Sequence, residues 1–137
     1  MNLITQIYLN KKTILKTINY FTKTKSLLTF PVFLRKNPYT VVLRYKSKKF
    51  KDILQTKEIN YKINVGESDC GFFVFKTNTV RSLLKKFITK KVIIAVKSRE
   101  IDFLSSFKFL KTKGKVSTVK AISHKDTIGI NSKKDLK

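Results

Sequence analysis

The sequence predicts an α+β fold: a small antiparallel or mixed sheet with one amphipathic helix in the core domain, preceded by a basic N-terminal helical extension. Three observations predict it. Residues 71–97 read as strand, helix, strand; residues 59–65 alternate at period 2; and residues 116–130 read as a β-hairpin. Within the first stretch, Phe72-Phe73-Val74-Phe75 is short, aromatic and led in by Gly71, the composition of a strand. Lys76-Thr77-Asn78-Thr79 breaks it, and the side-chain oxygen of Thr77 or Asn78 can accept from the first free N–H groups of a helix. Val80, Leu83, Leu84, Phe87 and Ile88 then recur at helical spacing on one face, with Arg81, Lys85, Lys86, Lys90 and Lys91 mostly on the others. Val92-Ile93-Ile94-Ala95-Val96 is too short and too β-branched for a good helix and reads as a buried strand.

The chain has 137 residues, enough for one domain with a modest core. Its charge is unusual: 31 Lys and Arg stand against 8 Asp and Glu, a formal net charge of +23. No acid occurs between Cys70 and Arg99, and none before Asp52. Such a surface repels itself unless a polyanion lies on it. Nucleic acid is the first candidate and an anionic membrane surface the second. The single cysteine, Cys70, excludes an internal disulfide and a cysteine-cluster zinc site. No run approaches the ~20 apolar residues that span a bilayer, so no membrane span is expected.

Three segments follow from the pattern: a basic N-terminal extension over 1–44, an α+β domain over 45–131, and a basic tail over 132–137. In the extension, Leu3, Ile4, Ile7, Tyr8, Ile14, Leu15, Ile18 and Phe21 lie on a helical stripe interrupted by Lys11-Lys12. Such a helix fits an import sequence, a membrane-surface helix, or an extension docked on RNA and neighbouring proteins, and the last is favoured. Residues 26–38 read as irregular, punctuated by Pro31 and Pro38, and residues 39–45 as a strand or extended arm. Lys46-Ser47-Lys48-Lys49-Phe50-Lys51 is either a solvated loop or a phosphate-binding segment; the overall charge favours the second, with Phe50 on the core or on a base. Ile59, Tyr61, Ile63 and Val65 outline a half-buried strand that turns at residues 66–69. Lys111-Thr112-Lys113-Gly114-Lys115 has one glycine and no Gly-Lys-Ser/Thr, so it is no P-loop. It reads as a flexible basic finger in which Gly114 permits close approach to an RNA backbone.

Groups for catalysis are scarce. Glu67/Asp69 and Glu100/Asp102 are i, i+2 pairs in expected turns, where acids bond local backbone or pair with lysines. His124 is the only histidine, which makes no metal site, and Cys70 has no base beside it in sequence. No catalytic residue, metal or cofactor is expected, and a basic hydrolase or transferase is a poor rival. Of Phe72, Phe73 and Phe75, at least part belongs to the core, because neighbours on a strand face opposite ways.

In order and spacing these features resemble the bacterial-type family of large-subunit ribosomal protein sixteen. The matching pieces are Lys46-Ser47-Lys48-Lys49-Phe50-Lys51, Val65-Gly66-Glu67 leading to Gly71-Phe72-Phe73, the helix over Thr79 to Lys90, the following strand from Val92 to Lys97, Lys113-Gly114-Lys115, and the hairpin from Val119-Lys120-Ala121-Ile122 through Thr127-Ile128-Gly129-Ile130. They cover residues 45–131. The resemblance implies an α+β fold that binds large-subunit rRNA near the A-site tRNA and the peptidyl transferase region, with neighbouring ribosomal proteins and A-site tRNA as further partners. Lys111, Lys113, Gly114 and Lys115 become the rRNA-facing finger. With Lys46, Lys48, Lys49, Lys51, Arg81 and Lys85 they form the expected RNA-binding set. A skew toward Lys, Ile, Asn and Phe and a sequence starting at Met1 fit a mitochondrially encoded member working in the matrix. Three features depart from the family: one glycine in the loop where the family has several, Leu110 where it has a basic residue, and no second helix after the hairpin. The N-terminal extension or another chain is expected to take that helix's place. The expected role is structural; the alternatives are an organellar RNA-binding or ribosomal protein at a different site, and a basic membrane-surface protein.

Overall fold

Leu27 to Leu34 is apolar at every position but Thr29, and it forms the strand on which the sheet is assembled. The structure, a computed structural model, describes residues 9–127. In chain order it contains α1 (Lys11–Thr24), β1 (Leu28–Lys36), β2 (Thr40–Arg44), β3 (Phe50–Gln55), β4 (Val65–Asp69), β5 (Val74–Phe75), α2 (Thr77–Thr89), α3 (Phe107–Leu110) and β6 (Val116–Lys120), an α+β fold. The apolar residues Leu3, Ile4, Ile7 and Tyr8, the expected return strand at Ile128-Gly129-Ile130, and the tail 132–137 lie outside the described residues.

One edge of β1 pairs in parallel with β6; the other pairs antiparallel with β5 at Leu28–Thr29 and then with β4 from Val32 to Lys36. Residues 26–38 are therefore not irregular, as expected from Pro31, but include the central strand. Pro31 is tolerated because of where it falls. Its carbonyl accepts from the Cys70 N–H at 3.2 Å on the β4/β5 side, between the last β5 pair and the first β4 pair. A residue's N–H points to the same side of a strand as its C=O, so the missing donor falls at the gap between two partner strands. β1 thus ties the segment read as an extension to the strands that follow it. β2 and β3 form a separate antiparallel hairpin with a register shift between Leu43 and Arg44.

Other expectations are corrected. Residues 59–64 form no strand; pairing starts at Val65 because its partner, Lys36, is the last residue of β1, and Asn37 turns away at φ 45°. Residues 66–69 then continue that strand rather than turning. Val92–Val96 joins no sheet. Only Ile94 pairs, with Ile101, while hydrogen bonds from Ala95 to Glu100 and from Asp102 to Ile93 fold the segment onto itself. Of the expected hairpin over 116–130, the first strand is present as β6, which pairs in parallel with β1, and His124–Thr127 forms a 3-10 turn; the return strand lies outside the described residues. Helix α2 begins at Thr77, earlier than a cap at Thr77 or Asn78 implies; the residue at its N-cap is Lys76, with no side-chain cap bond.

Helix α1 docks by its hydroxyls. Asn10 caps it, accepting from the Lys12 N–H at 2.8 Å. Thr13 and Thr17, one turn apart, are fully buried, whereas Leu15 and Ile18 of the apolar stripe are exposed. Ser26, Thr29 and Ser117 continue the seam, with their hydroxyls linked at 2.8 Å. The apolar core lies on the other side of the sheet. Phe30, Phe50 and Phe107 meet there with Phe73 and Phe103 in tilted and edge-on ring contacts, 5.1 to 6.5 Å between centroids. Val80 closes this core from α2, supported by Leu83, Leu84 and Phe87.

Candidate nucleic-acid interface

The first basic segment is the tip of the β2–β3 hairpin. The Tyr45 N–H donates to the Lys49 carbonyl at 3.0 Å and the Lys48 N–H to the Tyr45 carbonyl at 2.8 Å, closing a turn in which Lys48 takes φ 62°. Lys46, Lys48 and Lys49 stand exposed on it. The strand alternation then sends Phe50 into the core and Lys51 outward. Of the two readings for Phe50, the core is the one realised. The hairpin is held at its base by Arg44. Its guanidinium grips the Glu67 carboxylate of β4 through Nε and through Nη2 at 3.0 Å, reaches Thr118 Oγ1 of β6 at 2.9 Å, and donates from Nη1 to the Lys48 carbonyl at 3.1 Å. A bidentate guanidinium–carboxylate pair fixes orientation as well as distance, so the tip lysines project from a set position.

The second basic segment is the turn after α3. It is no flexible finger. The N–H groups of Lys111, Lys113 and Gly114 bond back to Phe107 and Leu110, and the Lys115 carbonyl accepts from the N–H groups of Leu27 and Leu28. Gly114 is also assigned differently from expectation. Its missing side chain faces Leu27, where a Cβ would come within 2.8 Å of the Leu27 Cβ. The glycine serves packing against the protein's own chain.

The structure brings the two segments together. Lys111 Nζ donates to the Tyr45 hydroxyl at 2.9 Å and to the Lys51 carbonyl at 2.5 Å, and lies 4.9 Å from the Tyr45 ring centre. Lys51 Nζ lies 5.9 Å from the same ring. On the other side of the turn, Lys115 Nζ lies 5.9 Å from the ring centre of Tyr20 on α1. Lys113 is exposed between them. Arg81 and Lys85 stand on the outward side of α2, and the bonds that join Lys111 to the hairpin do not extend to them. Sequence reasoning missed Tyr45, Tyr20 and Arg44; the signal for Tyr45 is its place beside the 46–51 cluster, while nothing local marks Tyr20.

Several acids among the described residues serve the fold. Glu67 pairs with Arg44; Asp69 accepts from the Thr40 hydroxyl and the Gly71 N–H. Asp102 accepts from Gln55 and from the N–H groups of Leu104 and Ser105. The Lys97 N–H bonds the Glu58 carboxylate at 2.8 Å and holds its pKa below the ordinary value. With 8 acids for 31 bases, at least 23 cations have no carboxylate to pair with one to one. Among the described residues no group of three His, Cys, Asp or Glu could hold a metal ion, and no helix is long and apolar enough to cross a membrane. Compared with protein-family models and with curated proteins, the chain matches none.

Proposed function

We propose that this chain is a structural RNA-binding protein of a ribosome that lays its lysines along rRNA phosphates. The observation that carries the reading is the junction at Tyr45. Two basic segments 60 residues and more apart in sequence, the 46–51 hairpin tip and the 111–115 turn, are fastened into one surface by Lys111. Both are braced on the core, so their charges are positioned before RNA arrives. The chain acts as a counter-ion with a fixed shape. Placement on large-subunit rRNA near the A-site tRNA and the peptidyl transferase region of a mitochondrial ribosome, among neighbouring ribosomal proteins, rests on the family resemblance.

The test of RNA binding is a salt titration of the full chain with labelled rRNA fragments. Replacing Lys111, Lys113 and Lys115 by Ala, or Lys46, Lys48 and Lys49 by Ala, removes about 0.7 to 0.9 from the slope of log K against log salt for each lost phosphate contact. An unchanged slope in both variants overturns the reading of this surface. Placement is tested separately, by whether the tagged protein travels with large subunits through a sucrose gradient.

A further inference from the structure

The 111–115 turn sits between two exposed tyrosines, and each has a lysine of that turn at its ring. Tyr45 is 47% exposed and Tyr20 is 38% exposed. Lys111 is nearer the Tyr45 hydroxyl, at 2.9 Å, than the ring centre, at 4.9 Å, so the ammonium sits at the rim of the ring and does not cap it. Lys115 stands 5.9 Å from the centre of the Tyr20 ring. Tyr20 also lines a shallow open hollow along α1 with Lys12, Leu15, Lys16, Asn19 and Lys23. Lys12, Lys16, Tyr20 and Lys23 follow one another at helical spacing, which puts them on one stripe of the helix. The stripe is outward because α1 is docked by Thr13 and Thr17 instead of its apolar side chains.

The geometry points to a track for single-stranded RNA, running from the hairpin tip over Tyr45, across Lys111, Lys113 and Lys115, to Tyr20 and the lysine stripe of α1. The inference rests on the RNA-binding reading and names the form of RNA. A paired helix presents phosphates and hides base faces; a single strand offers both, and an exposed ring flanked by cations binds both at once. A lysine beside each ring takes the phosphate next to the stacked base. Lysines alone serve a duplex equally well, so the two tyrosines decide the assignment. The track reaches α1, which lies outside the surface derived from the two basic segments.

The experiment compares the full chain with Tyr20→Ala, Tyr45→Ala, and the Phe variant at each position. The probes are a fluorescein-labelled oligouridylate long enough to span both rings and a fully paired RNA duplex at the same salt. Binding is read by anisotropy and folding by circular dichroism. Each Ala variant is expected to lose about 5- to 150-fold on the single strand and little on the duplex; Tyr20→Phe retains binding, and Tyr45→Phe, which keeps the ring and gives up the Lys111 bond to the hydroxyl, binds better than Tyr45→Ala. The inference is overturned if the Ala variants bind the single strand like the parent, if the duplex loses as much, or if Phe fails as Ala does. In those outcomes the lysine-based RNA reading stands. If the parent binds neither RNA yet sediments with vesicles containing phosphatidylserine, both readings fall and the surface belongs to membranes.

Discussion

Gly114 lies against Leu27: a Cβ added to the glycine would meet the Leu27 Cβ at 2.8 Å and its Cδ2 at 3.2 Å. The first of these atoms cannot swing away, because the Leu27 backbone is tied to Lys115 by an N–H···O bond of 2.8 Å. Gly114→Ala therefore has to push the 111–115 turn off β1. Overpacking of this kind costs about 1–3 kcal/mol, to be read as a lower urea midpoint. On the proposed RNA-binding function, the affinity of the folded protein for RNA should change little. A variant with parental stability and weakened RNA binding would return the glycine to the RNA-facing role expected from the sequence.

Two ion pairs among the described residues, Arg44–Glu67 and Lys57–Glu100, offer a second comparison. In the first the side chains keep only 25% and 34% of their exposure, and the guanidinium serves three elements. In the second they keep 57% and 73%, at 3.5 Å. Arg44→Ala leaves a half-buried carboxylate and Thr118 without their donor, and should cost about 1–3 kcal/mol in urea unfolding. Lys57→Ala should stay within about 0.5 kcal/mol. Arg44→Lys should not restore the parent, since an ammonium cannot grip two oxygens and Thr118 together. Equal effects at positions 44 and 57 would count against Arg44 as the anchor of the hairpin.

The parts legible in the sequence are those where one local signal acts alone. Helix α2 follows from Val80, Leu83, Leu84 and Phe87, where a single periodicity rules; of the strand or extended arm read at 39–45, the strand is the one realised, as β2. β1 was obscured by Pro31, read as a breaker; only the pairing of three other strands shows that its missing N–H falls in a gap. Turns were hard to place because the chain has four glycines, and Lys25, Lys48, Lys91 and Arg99 take left-handed conformations in their stead. The 46–51 and 111–115 segments were legible as basic. Their junction was not, since it depends on Lys111 reaching Tyr45 across 66 residues. The hydroxyl face of α1 is hidden for a related reason: threonines at 13 and 17 look like solvent residues until the fold buries both and brings Asp126 to Thr13.

Cys70 tests the closure of β4 onto β1. Burial, reinforced by the charges of Asp69 and Asp126, pushes its thiol from an ordinary 9.0 up to about 12. The raised value means that the fold favours the protonated thiol. That contribution is complete below about pH 9 and is lost as pH rises through about 12. At pH 8 the native protein should react with a disulfide reagent at the rate of local opening only, and rapidly once unfolded in urea. Fast labelling of the folded chain would show that the Cys70–Pro31 contact is open in solution.

Thr13 supplies the last comparison, because its hydroxyl is used twice. It donates to Asp126 Oδ2 at 2.5 Å and accepts from the Ile122 N–H at 3.0 Å, while Asp126 Oδ1 accepts from the Asn10 N–H at the start of α1. Thr13→Val keeps the shape and removes both bonds, weakening the hold on a fully buried carboxylate. Hydrogen bonds to charged groups are worth about 1.5–3 kcal/mol, and that is the expected loss. Thr17 is equally buried, but its hydroxyl only bonds back to the Thr13 carbonyl at 2.7 Å, a carbonyl that α1 already engages. Thr17→Val should therefore cost less than about 1 kcal/mol. In a double-mutant cycle, Thr13→Val and Asp126→Asn should be strongly non-additive, as residues sharing one hydrogen bond are. Amide exchange at Asn10 and Ile122 should quicken in Thr13→Val and not in Thr17→Val. Equal costs for the two valines, with additive coupling to position 126, would mean that α1 is held by the helix stripe and not by this buried carboxylate.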